Sequence, residues 1–416
     1  MDLSDEEQSI AAGEAGEGAA IAMRIVTEAG RLLGADRLVT IASSHVDGCL
    51  YHGDSGTEFA EFMVAKAARV RVPTTLNVSA LDLLHPDRVR LPEHKREMAL
   101  RLMKAYEAMG CRPTWTCAPY QAGHRPALGT DVAWGESNAV VFCNSVLGAR
   151  TNRYGDFLDV ACAIAGRAPR YGLHKPEHRR ATVVVDTSTL SARLKALDEF
   201  WPVLGAWYGR TLGERIGVIE GLAGFATEDR LKALGAASAS FGNVSLFHVE
   251  GVTPEAPTTA EILAETPDIV HIALTPKLMR EARDLLSTTA DEHVDAVAVG
   301  SPHLSYEEFG EMERLIAGRH LRLPFYANTN RLVVQRLEQE GRWQSLLEVG
   351  LIPVVDTCIV VTPILPEPVG VLLTNSGKFS CYAPGNTGYA VQFGSLSDCV
   401  ESAVAGTLVR NEEAWS

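Results

Sequence analysis

The 416-residue sequence lacks the features that mark membrane, secreted and nucleic-acid-binding proteins. It has no run of 18 apolar residues, so no membrane-spanning helix is predicted. Its first residues, Met-Asp-Leu-Ser-Asp-Glu-Glu, are acidic and do not show the basic and then apolar order of a secretory signal. Its formal net charge of −14 offers no basic field to nucleic acid. We therefore predict a cytoplasmic protein without a nucleic-acid or membrane partner.

Common metal and phosphate motifs are also missing. The eight cysteines include no CxxC pair, and the twelve histidines form no HExxH or HxH pair, so no histidine zinc centre is predicted. Thr-Asn-Ser-Gly-Lys at 374–378 lacks the Gly-x4-Gly-Lys spacing of a P-loop. Without a secretory signal, a disulfide framework is not expected in a chain of this length.

The sequence does contain short apolar runs that alternate with amphipathic helices. The runs predicted as strands are 38–41, 70–72, 140–142, 182–185, 216–219, 245–248, 269–273, 296–299, 325–327, 354–361 and 370–373. Helical spacing of apolar residues marks 16–35, 93–109, 277–287 and 305–317. This alternation predicts an α/β fold with parallel or mixed sheets.

The texture of the sequence changes after the predicted strand at 182–185, which places a domain boundary near residue 186. We predict three α/β regions, at 1–185, 186–290 and 291–416. The first region carries the motifs around Cys117 and Glu136. The third carries those around Ser301, Cys358 and Lys378.

Eight polar clusters rich in Gly, Ser, Asn and His punctuate these regions. They are 43–56, 74–79, 116–124, 134–138, 144–153, 300–305, 356–358 and 374–378. In an open α/β sheet, ligands bind at the carboxyl ends of the strands. One such cluster would be an ordinary turn, whereas eight of them indicate a large composite site.

Cys117 and Cys358 are the best candidates for metal ligands. Cys117 stands in Thr-Cys-Ala-Pro-Tyr, and Cys358 follows 241 residues later in Val-Asp-Thr-Cys-Ile. Thiolates bind zinc and iron–sulfur clusters. The alternative is a buried, inert thiol, which is the commoner fate of a free cysteine. The remaining cysteines in apolar context are predicted to lie in the core: Cys111, Cys162 and Cys399.

Candidates for acid–base chemistry and anion binding lie in the same clusters. Glu136-Ser137, close to a tryptophan, is a candidate acid, base or substrate contact, with a solvated surface glutamate as the alternative. Lys378 could hold a carboxylate as a point charge. Arg150 and Arg153 could hold one through paired hydrogen bonds. An ordinary surface ion pair is the alternative for each of these cations.

Eight ordered motifs together resemble the large, catalytic part of the aconitase X family, over about residues 15 to 400. They are Ser-Ser-His-Val-Asp-Gly, Pro-Thr-Thr-Leu-Asn, Thr-Cys-Ala-Pro-Tyr, Trp-Gly-Glu-Ser-Asn, Asn-Ser-Val-Leu-Gly-Ala-Arg-Thr-Asn-Arg, Gly-Ser-Pro-His, Asp-Thr-Cys and Thr-Asn-Ser-Gly-Lys. The resemblance implies an aconitase-like, multi-domain α/β fold around a central cleft that holds an iron–sulfur cluster. It also implies a hydro-lyase, that is, a dehydratase.

The resemblance leaves the substrate to be chosen between two known activities. Bacterial members dehydrate cis-3-hydroxy-L-proline to Δ1-pyrroline-2-carboxylate, and archaeal members dehydrate mevalonate 5-phosphate. Residues 152–159, Asn-Arg-Tyr-Gly-Asp-Phe-Leu-Asp, look closer to the bacterial type. The alternatives are a phosphorylated or other hydroxy acid and, in a different class, a non-catalytic iron–sulfur sensor or scaffold.

The family's cluster cysteines would fall on Cys117 and Cys358. A third cysteine, in Gly-Cys-Pro-His of the archaeal pattern, is Ser301 here. A serine oxygen is a poor replacement for a thiolate toward iron. Two resolutions are open: a smaller cluster of the 2Fe–2S type, or another cysteine such as Cys49.

Substrate contacts implied by the resemblance fall on Gly48, Cys49, Leu50, Asn77, Val78, Glu136, Ser137 and Lys378. Position 78 is proline in the archaeal pattern, which favours a different substrate for this chain. The family also needs a small swivelling domain that closes over the site and carries a catalytic serine. We expect that domain to be a separate small subunit.

Overall fold

The computed structural model describes residues 1–265 and 268–415. The chain divides into two compact units. The first unit contains residues 1–81 and 91–180, and the second contains residues 82–90 and 181–416. The predicted division into regions 1–185, 186–290 and 291–416 stays a prediction.

The first unit is built from short strands and six helices among the described residues. Its strands are β1 (Leu38–Thr40), β2 (Ser44–Val46), β3 (Thr74–Leu76), β4 (Ala133–Trp134) and β5 (Arg167–Pro169). Its helices are α1 (Asp5–Ala12), α2 (Glu17–Leu32), α3 (Asp54–Ala65), α4 (Glu93–Ala108), α5 (Ser137–Phe142) and α6 (Leu158–Ala165). Strands β1 and β5 pair antiparallel, whereas β3, β2 and β4 form a parallel sheet in that order.

The parallel sheet of the first unit is buried, yet its strands carry polar side chains. Every residue of β2 and β3 is buried. Strands buried on both faces are usually continuous apolar runs. Here Ser44 Oγ instead donates to the carbonyl of Ala133 at 2.6 Å, and His45 contacts Thr75 across the ladder. Such pairing is required, because a buried polar group without a partner is costly.

The second unit contains two parallel sheets. The strands of the four-stranded sheet, in spatial order, are β8 (His248–Val249), β7 (Gly217–Glu220), β6 (Val183–Asp186) and β9 (Val270–Ala273). Those of the five-stranded sheet are β12 (Leu351–Val355), β11 (Phe325–Thr329), β10 (Ala296–Val299), β13 (Val371–Thr374) and β14 (Ala390–Phe393). The predicted α/β class with parallel sheets is confirmed.

Helices cover these sheets and bury an aliphatic and aromatic core. They are α7 (Ala192–Lys195), α8 (Phe200–Leu212), α9 (Glu228–Gly242), α10 (Thr259–Ile262), α11 (Pro276–Asp284), α12 (Tyr306–Ile316), α13 (Arg331–Gln339), α14 (Trp343–Glu348), α15 (Gly377–Thr387) and α16 (Leu396–Ala405). Helices α8 and α9 approach closely because Gly205 and Gly209 lack side chains. A Cβ at these positions would lie 2.3 Å and 2.5 Å from the carbonyl oxygens of Leu234 and Ser238.

Residues 82–90 leave the first unit and pack within the second. The buried Asp82 accepts a hydrogen bond from the amide of Val355 at 3.0 Å. Arg88 donates to the carbonyl of Pro353 at 2.7 Å, and the amide of Arg90 donates to the carbonyl of Pro363 at 3.0 Å. This segment therefore braces the chain on both sides of Cys358.

Three strand predictions were wrong. Residues 140–142 belong to helix α5, and 70–72 lie before the strand that actually forms, β3. The apolar run at 354–361 is strand only as far as Val355. Strands β2, β3, β4, β5 and β14 were missed, and β8 contains only His248 of the predicted run 245–248. Over the described ranges, no helix is both long and apolar enough to cross a membrane.

Candidate active site

In the first unit, three predicted site clusters follow adjacent strands of the parallel sheet. Asp47, Asn77 and Glu136 each stand one or two residues beyond the end of β2, β3 or β4. The ladder continues past these ends, because the amide of Asn77 donates to Val46 and that of Gly135 donates to His45, both at 2.9 Å. Asn77 Nδ2 donates to Asp47 Oδ1. The structure thus brings these three polar residues to one edge of the sheet.

A buried aspartate, Asp159, holds the turn that contains Gly48. Its Oδ2 accepts from the amides of Asp47 and Gly48 at 2.7 Å and 3.1 Å. Burial raises the pKa of Asp159 to about 7, although these amide hydrogen bonds oppose the shift. Gly48 must be glycine here, since a Cβ would lie 2.9 Å from the hydroxyl of Tyr106. Sequence patterns did not single out this role of Asp159, which is 111 residues away from Gly48.

The other candidate substrate contacts in this turn are buried. Cys49, Leu50 and Val78 are 1%, 7% and 4% exposed. The thiol of Cys49 faces the carbonyls of Val46 and Asn77 at 3.4 Å and 3.5 Å. Burial, with the nearby carboxylates, raises the pKa of Cys49 well above its usual range. This setting favours the protonated thiol over a metal-binding thiolate.

Glu136 is buried and caps a helix. Its Oε2 accepts from the amide of Ala139 at 2.7 Å, and its Oε1 accepts from the hydroxyl of Ser137 at 3.1 Å. The carboxylate also sits at the amino end of α5, where backbone N–H groups favour negative charge. Glu136 is 4% exposed, so it is not a solvated surface residue.

Cys117 lies in an extended segment that runs beside β3. The amide of Thr116 donates to the carbonyl of Leu76 at 3.2 Å. Asn138, on α5, donates to the carbonyl of Cys117 at 3.0 Å. Cys117 is 7% exposed. Because Asn138 follows Glu136 by two residues, its bond to Cys117 holds the cysteine close to the loop that carries Glu136.

The 144–153 cluster is organised by a buried arginine that sequence reasoning missed. Arg179 is 1% exposed and donates to the carbonyls of Asn144 and Ala149 at 3.0 Å and 3.2 Å. Arg150 is half-buried and Arg153 is exposed. Single backbone bridges place Arg153 next to Trp134 and Arg150 next to Asp131.

In the second unit, Cys358 follows β12 in a turn fixed by an ion pair. Arg331 binds both carboxylate oxygens of Asp356, at 2.9 Å and 2.6 Å. Asp356 has a positive φ of 66°. Burial raises its pKa, although Arg331 opposes the shift. The carbonyl of Cys358 accepts from the amides of Val361 and Thr362, both at 3.0 Å.

Ser301 follows β10, and its loop is connected to the Cys358 turn. His303 Nε2 donates to the carbonyl of Thr357 at 3.0 Å. On the other side, the hydroxyl of Ser376 donates to the carbonyl of Ser301. The second unit therefore brings the loops after β12, β10 and β13 to one edge of the five-stranded sheet.

A buried lysine, Lys232, supports the Ser301 loop, and sequence patterns did not single it out. Lys232 on α9 pairs with Asp229 at 2.8 Å and with Glu308 on α12. Asp229 accepts from the hydroxyl of Ser305 at 2.8 Å. These carboxylates raise the pKa of Lys232 despite its burial. The loop from Ser301 to Ser305 thus rests on a paired charge cluster.

Lys378 is half-buried in the first turn of α15. The helix is capped by Ser376, whose hydroxyl accepts from the amide of Phe379 at 3.1 Å. A lysine at this end adds positive charge to a helix terminus that already favours anions.

The thiols of Cys117 and Cys358 are suitable ligands for iron, but they do not belong to a preformed group of metal ligands in the described residues. In residues 1–265 and 268–415, no three His, Cys, Asp or Glu side chains converge as a group that could hold a metal ion. Cys117 belongs to the first unit, and Cys358 and Ser301 belong to the second. This chain therefore offers two buried cysteines and one hydroxyl, each on its own loop.

Comparisons with known proteins identify the family. The aconitase X first, second and third domains match residues 1–177, 181–284 and 294–405. The chain therefore belongs to the aconitase X family.

Individual relatives extend over almost all of the chain. The cis-3-hydroxy-L-proline dehydratase of Pseudomonas aeruginosa is 40% identical over 414 residues, which are 98% of this chain and 71% of the relative. A protein of the same name from Hypocrea jecorina is 37% identical, over 98% of this chain and 69% of the relative. The phosphomevalonate dehydratase large subunit of Methanothermobacter thermautotrophicus is 36% identical, over 93% of this chain and 94% of the relative.

A solved structure has the same fold. The crystal structure of Thermococcus kodakaraensis aconitase X in its holo-form is 33% identical in sequence and matches with a TM-score of 0.86. The match covers 97% of this chain and all of that one.

Proposed function

We propose that this chain is a hydro-lyase that removes water from cis-3-hydroxy-L-proline to give Δ1-pyrroline-2-carboxylate. The observation that carries the proposal is the 40% identity over 98% of the chain to a relative named for that activity. The polar edge formed by the buried Asn77 and Glu136 and the half-buried Asp47 supports it, because a small polar substrate needs such fixed partners.

The reaction requires a base at the α-carbon and assistance to the leaving hydroxyl. The base takes the proton α to the carboxylate, and the 3-hydroxyl departs as water after it gains a proton. The resulting enamine tautomerises to the ring imine. Atoms balance, since one water leaves and no electrons are exchanged.

Glu136 is proposed to bind the ring amine of the substrate. Both of its oxygens already accept hydrogen bonds from Ala139 and Ser137, which fixes the carboxylate in one orientation. A carboxylate oxygen can accept more than one hydrogen bond, so a substrate N–H can bind beside these donors. Ser137 acts by orienting Glu136.

The substrate carboxylate is proposed to bind a cation of this chain. Lys378, half-buried at the start of α15, combines its ammonium with the amino end of a helix. Arg150 and Arg153 are further candidates, and the exposure of Arg153 makes it the weaker one. The other proposed substrate contacts are Gly48, Cys49, Leu50, Asn77 and Val78.

We infer that an iron–sulfur cluster, of the 2Fe–2S type, is held by Cys117 and Cys358. The donor chemistry fits, because iron prefers thiolates, and both cysteines are buried on loops at strand ends. Ser301 would offer at most an oxygen as a third ligand. When bound, the cluster would supply Lewis-acid polarisation of the leaving hydroxyl.

A small swivelling subunit is proposed as the partner and as the source of the base. Several relatives carry the name phosphomevalonate dehydratase large subunit. The cytoplasmic location stays a prediction.

The test is to co-express the chain with its small subunit, purify the complex anaerobically and assay cis-3-hydroxy-L-proline. We expect pyrroline-2-carboxylate and a visible absorption band from iron–sulfur charge transfer. Turnover of mevalonate 5-phosphate without turnover of the proline would overturn the substrate. Absence of iron and of any turnover would favour a scaffold.

Glu136→Gln tests the proposed contact. We expect a 10- to 100-fold lower kcat/KM, about the 1.5–3 kcal/mol of a hydrogen bond to a charged group. Glu107→Gln, at an exposed position on α4, is the matched control and should leave the activity unchanged.

A further inference from the structure

A buried histidine, His45, and a half-buried one, His124, share one threonine hydroxyl in the first unit. His45 on β2 and Thr75 on β3 are register partners, and Trp134 on β4 is the other neighbour of His45. Thr75 Oγ1 lies 2.9 Å from His45 Nδ1 and 2.7 Å from His124 Nδ1. His45 and Thr75 are 0% and 4% exposed. The three polar groups therefore form a continuous hydrogen-bonded chain.

The available protons limit which groups donate and which accept in this hydrogen-bonded chain. A hydroxyl has one proton to donate, and a neutral imidazole has one N–H. The hydroxyl oxygen also has two acceptor positions, so Thr75 can donate to one Nδ1 and accept from the other. In that arrangement the two histidines are opposite tautomers. One carries a proton on Nε2, and the Nε2 of the other is bare.

Burial keeps both rings neutral. It lowers the pKa of His45 to about 3, a shift that His124 adds to and Glu136 opposes. It lowers the pKa of His124 to about 4, with Arg112 adding to the shift. A neutral pair fits the arrangement in which Thr75 donates to one ring, because a charged ring has no bare nitrogen to accept that proton.

The outer ends of the chain are not satisfied by the protein. His45 Nε2 and His124 Nε2 are both buried and lie within hydrogen-bonding distance of no described protein atom. An unsatisfied buried polar group costs about 1–3 kcal/mol. The cost is unusual for a chain that serves packing alone and is typical of functional groups.

His45 and Thr75 stand two residues before the candidate site residues Asp47 and Asn77. Side chains that are two residues apart on a strand share a face. His45, Thr75 and Trp134 are therefore followed on the same face by Asp47, Asn77 and Glu136, as the bond from Asn77 to Asp47 supports.

We propose that His45, Thr75 and His124 form a proton relay for the dehydration, an inference that rests on the proposed function. A proton that arrives at the bare Nε2 of one histidine releases that ring's Nδ1 proton to the Thr75 oxygen. The hydroxyl proton of Thr75 passes to the Nδ1 of the other histidine, whose Nε2 proton leaves. One proton crosses, both tautomers reverse, and no charge remains in the sheet.

This arrangement suits an elimination, which takes a proton from carbon and gives one to the departing hydroxyl. A relay between neutral rings moves a proton to or from the site without creating a buried imidazolium. None of the three residues needs to touch the substrate, so they are positioning and proton-transfer residues.

Thr75→Val and Thr75→Ser in the complex with the small subunit test the relay. The valine keeps the shape and removes the hydroxyl, whereas the serine keeps the hydroxyl. We expect Thr75→Val to lower kcat about 100-fold with little change in KM, and Thr75→Ser to stay within about threefold of the wild type. The proton inventory of kcat in mixed H2O and D2O should be curved for the wild type and linear for Thr75→Val.

Two kinetic outcomes would overturn the relay. One is wild-type kcat and a curved inventory in Thr75→Val. The other is a loss of kcat in Thr75→Ser as large as that in Thr75→Val. That result would mean that Thr75 contributes through packing and not through its hydroxyl. His94→Gln serves as the control, because His94 is exposed and pairs with Asp54 on the surface.

Nitrogen-15 spectra of histidine-labelled protein provide a readout that does not need turnover. With His45→Gln and His124→Gln for assignment, we expect neutral rings of opposite tautomer at pH 7. Identical tautomers, or charged rings, would rule out the relay whatever the substrate. Opposite tautomers in a protein inactive on cis-3-hydroxy-L-proline would instead support the relay and reject only the proposed substrate.

Discussion

The two units hold their candidate loops by different physical means. In the first unit, the loops follow strands of two or three residues and are connected mainly through neutral groups such as His45, Thr75 and Asn77. In the second unit, they follow strands of four or five residues and rest on buried ion pairs, Arg331 with Asp356 and Lys232 with Glu308. Neutral hydrogen bonds can rearrange by moving protons, whereas ion pairs resist rearrangement. The contrast therefore separates a region suited to proton transfer from one suited to rigid support.

The largest effect is expected when the charge cluster of the second unit is broken. Lys232→Met leaves Asp229 and Glu308 without their common partner. Removing one member of a buried pair costs about 3–5 kcal/mol in unfolding free energy. Urea denaturation followed by circular dichroism should show a correspondingly lower midpoint.

Lys277→Met is the control for this change. Lys277 is 81% exposed and pairs with Glu281 one turn away, so its loss should cost less than about 0.5 kcal/mol. Equal midpoints for the two variants would mean that the cluster contributes no more than a surface pair, and the contrast between the units would fail.

The exception in the first unit, Asp159, should make stability depend on pH. Its pKa is raised to about 7 by burial, from about 3.9 in the unfolded chain. The folded state therefore keeps the proton longer, and the stabilisation is lost as pH rises from about 4 to about 7. Between pH 5 and 7 this amounts to at most about 3 kcal/mol.

Urea midpoints of the wild type and Asp159→Asn between pH 5 and 8 measure this dependence. We expect the midpoint of the wild type to fall with a steeper slope than that of the variant. Asp156→Asn, at an exposed position nearby, should keep the wild-type slope. Parallel slopes for all three proteins would assign the pH dependence to other carboxylates, such as Glu308.

The smallest effect is expected from a neutral hydrogen bond in the second unit. Ser376→Ala removes the cap of α15 and the bond to the carbonyl of Ser301. Together these should cost about 1–2 kcal/mol. Ser395→Ala, which removes only the cap of α16, should cost about 1 kcal/mol by the same thermal or urea measurement. An equal loss in both variants would show that the Ser301 bond adds nothing.

Local patterns predicted the fold where the physics is local. Residues 296–299 are a run of small and β-branched residues, and they form β10 with the predicted bounds. Val-Val-Phe at 140–142 was predicted to be a strand, but these residues form the end of helix α5, which Glu136 caps. Strand β3 was missed because Thr74 and Thr75 are polar. Their burial depends on partners in other strands, which one sequence does not reveal.

The site shows the same division. The polar clusters that contain Gly48, Asn77 and Glu136 could be predicted from composition, although the strands β2, β3 and β4 that precede these residues were missed. Their supports could not, because Asp159 lies 111 residues from Gly48 and Lys232 lies 76 residues from Glu308. His45 and His124 looked unrelated in sequence. The register of β2 with β3 brings His45 to Thr75, and the turn after residues 119–122 brings His124 to the same hydroxyl.

The excursion of residues 82–90 has a consequence for dissecting the molecule. A fragment cut at residue 181 would lack Asp82, Arg88 and Arg90, and it would leave the amide of Val355 without its acceptor. The second unit is therefore discontinuous in sequence, and no single cleavage of the polypeptide separates the two units intact. Fragment complementation would need residues 82–90 supplied in trans as a peptide. Circular permutants of the second unit would need them spliced back beside β12.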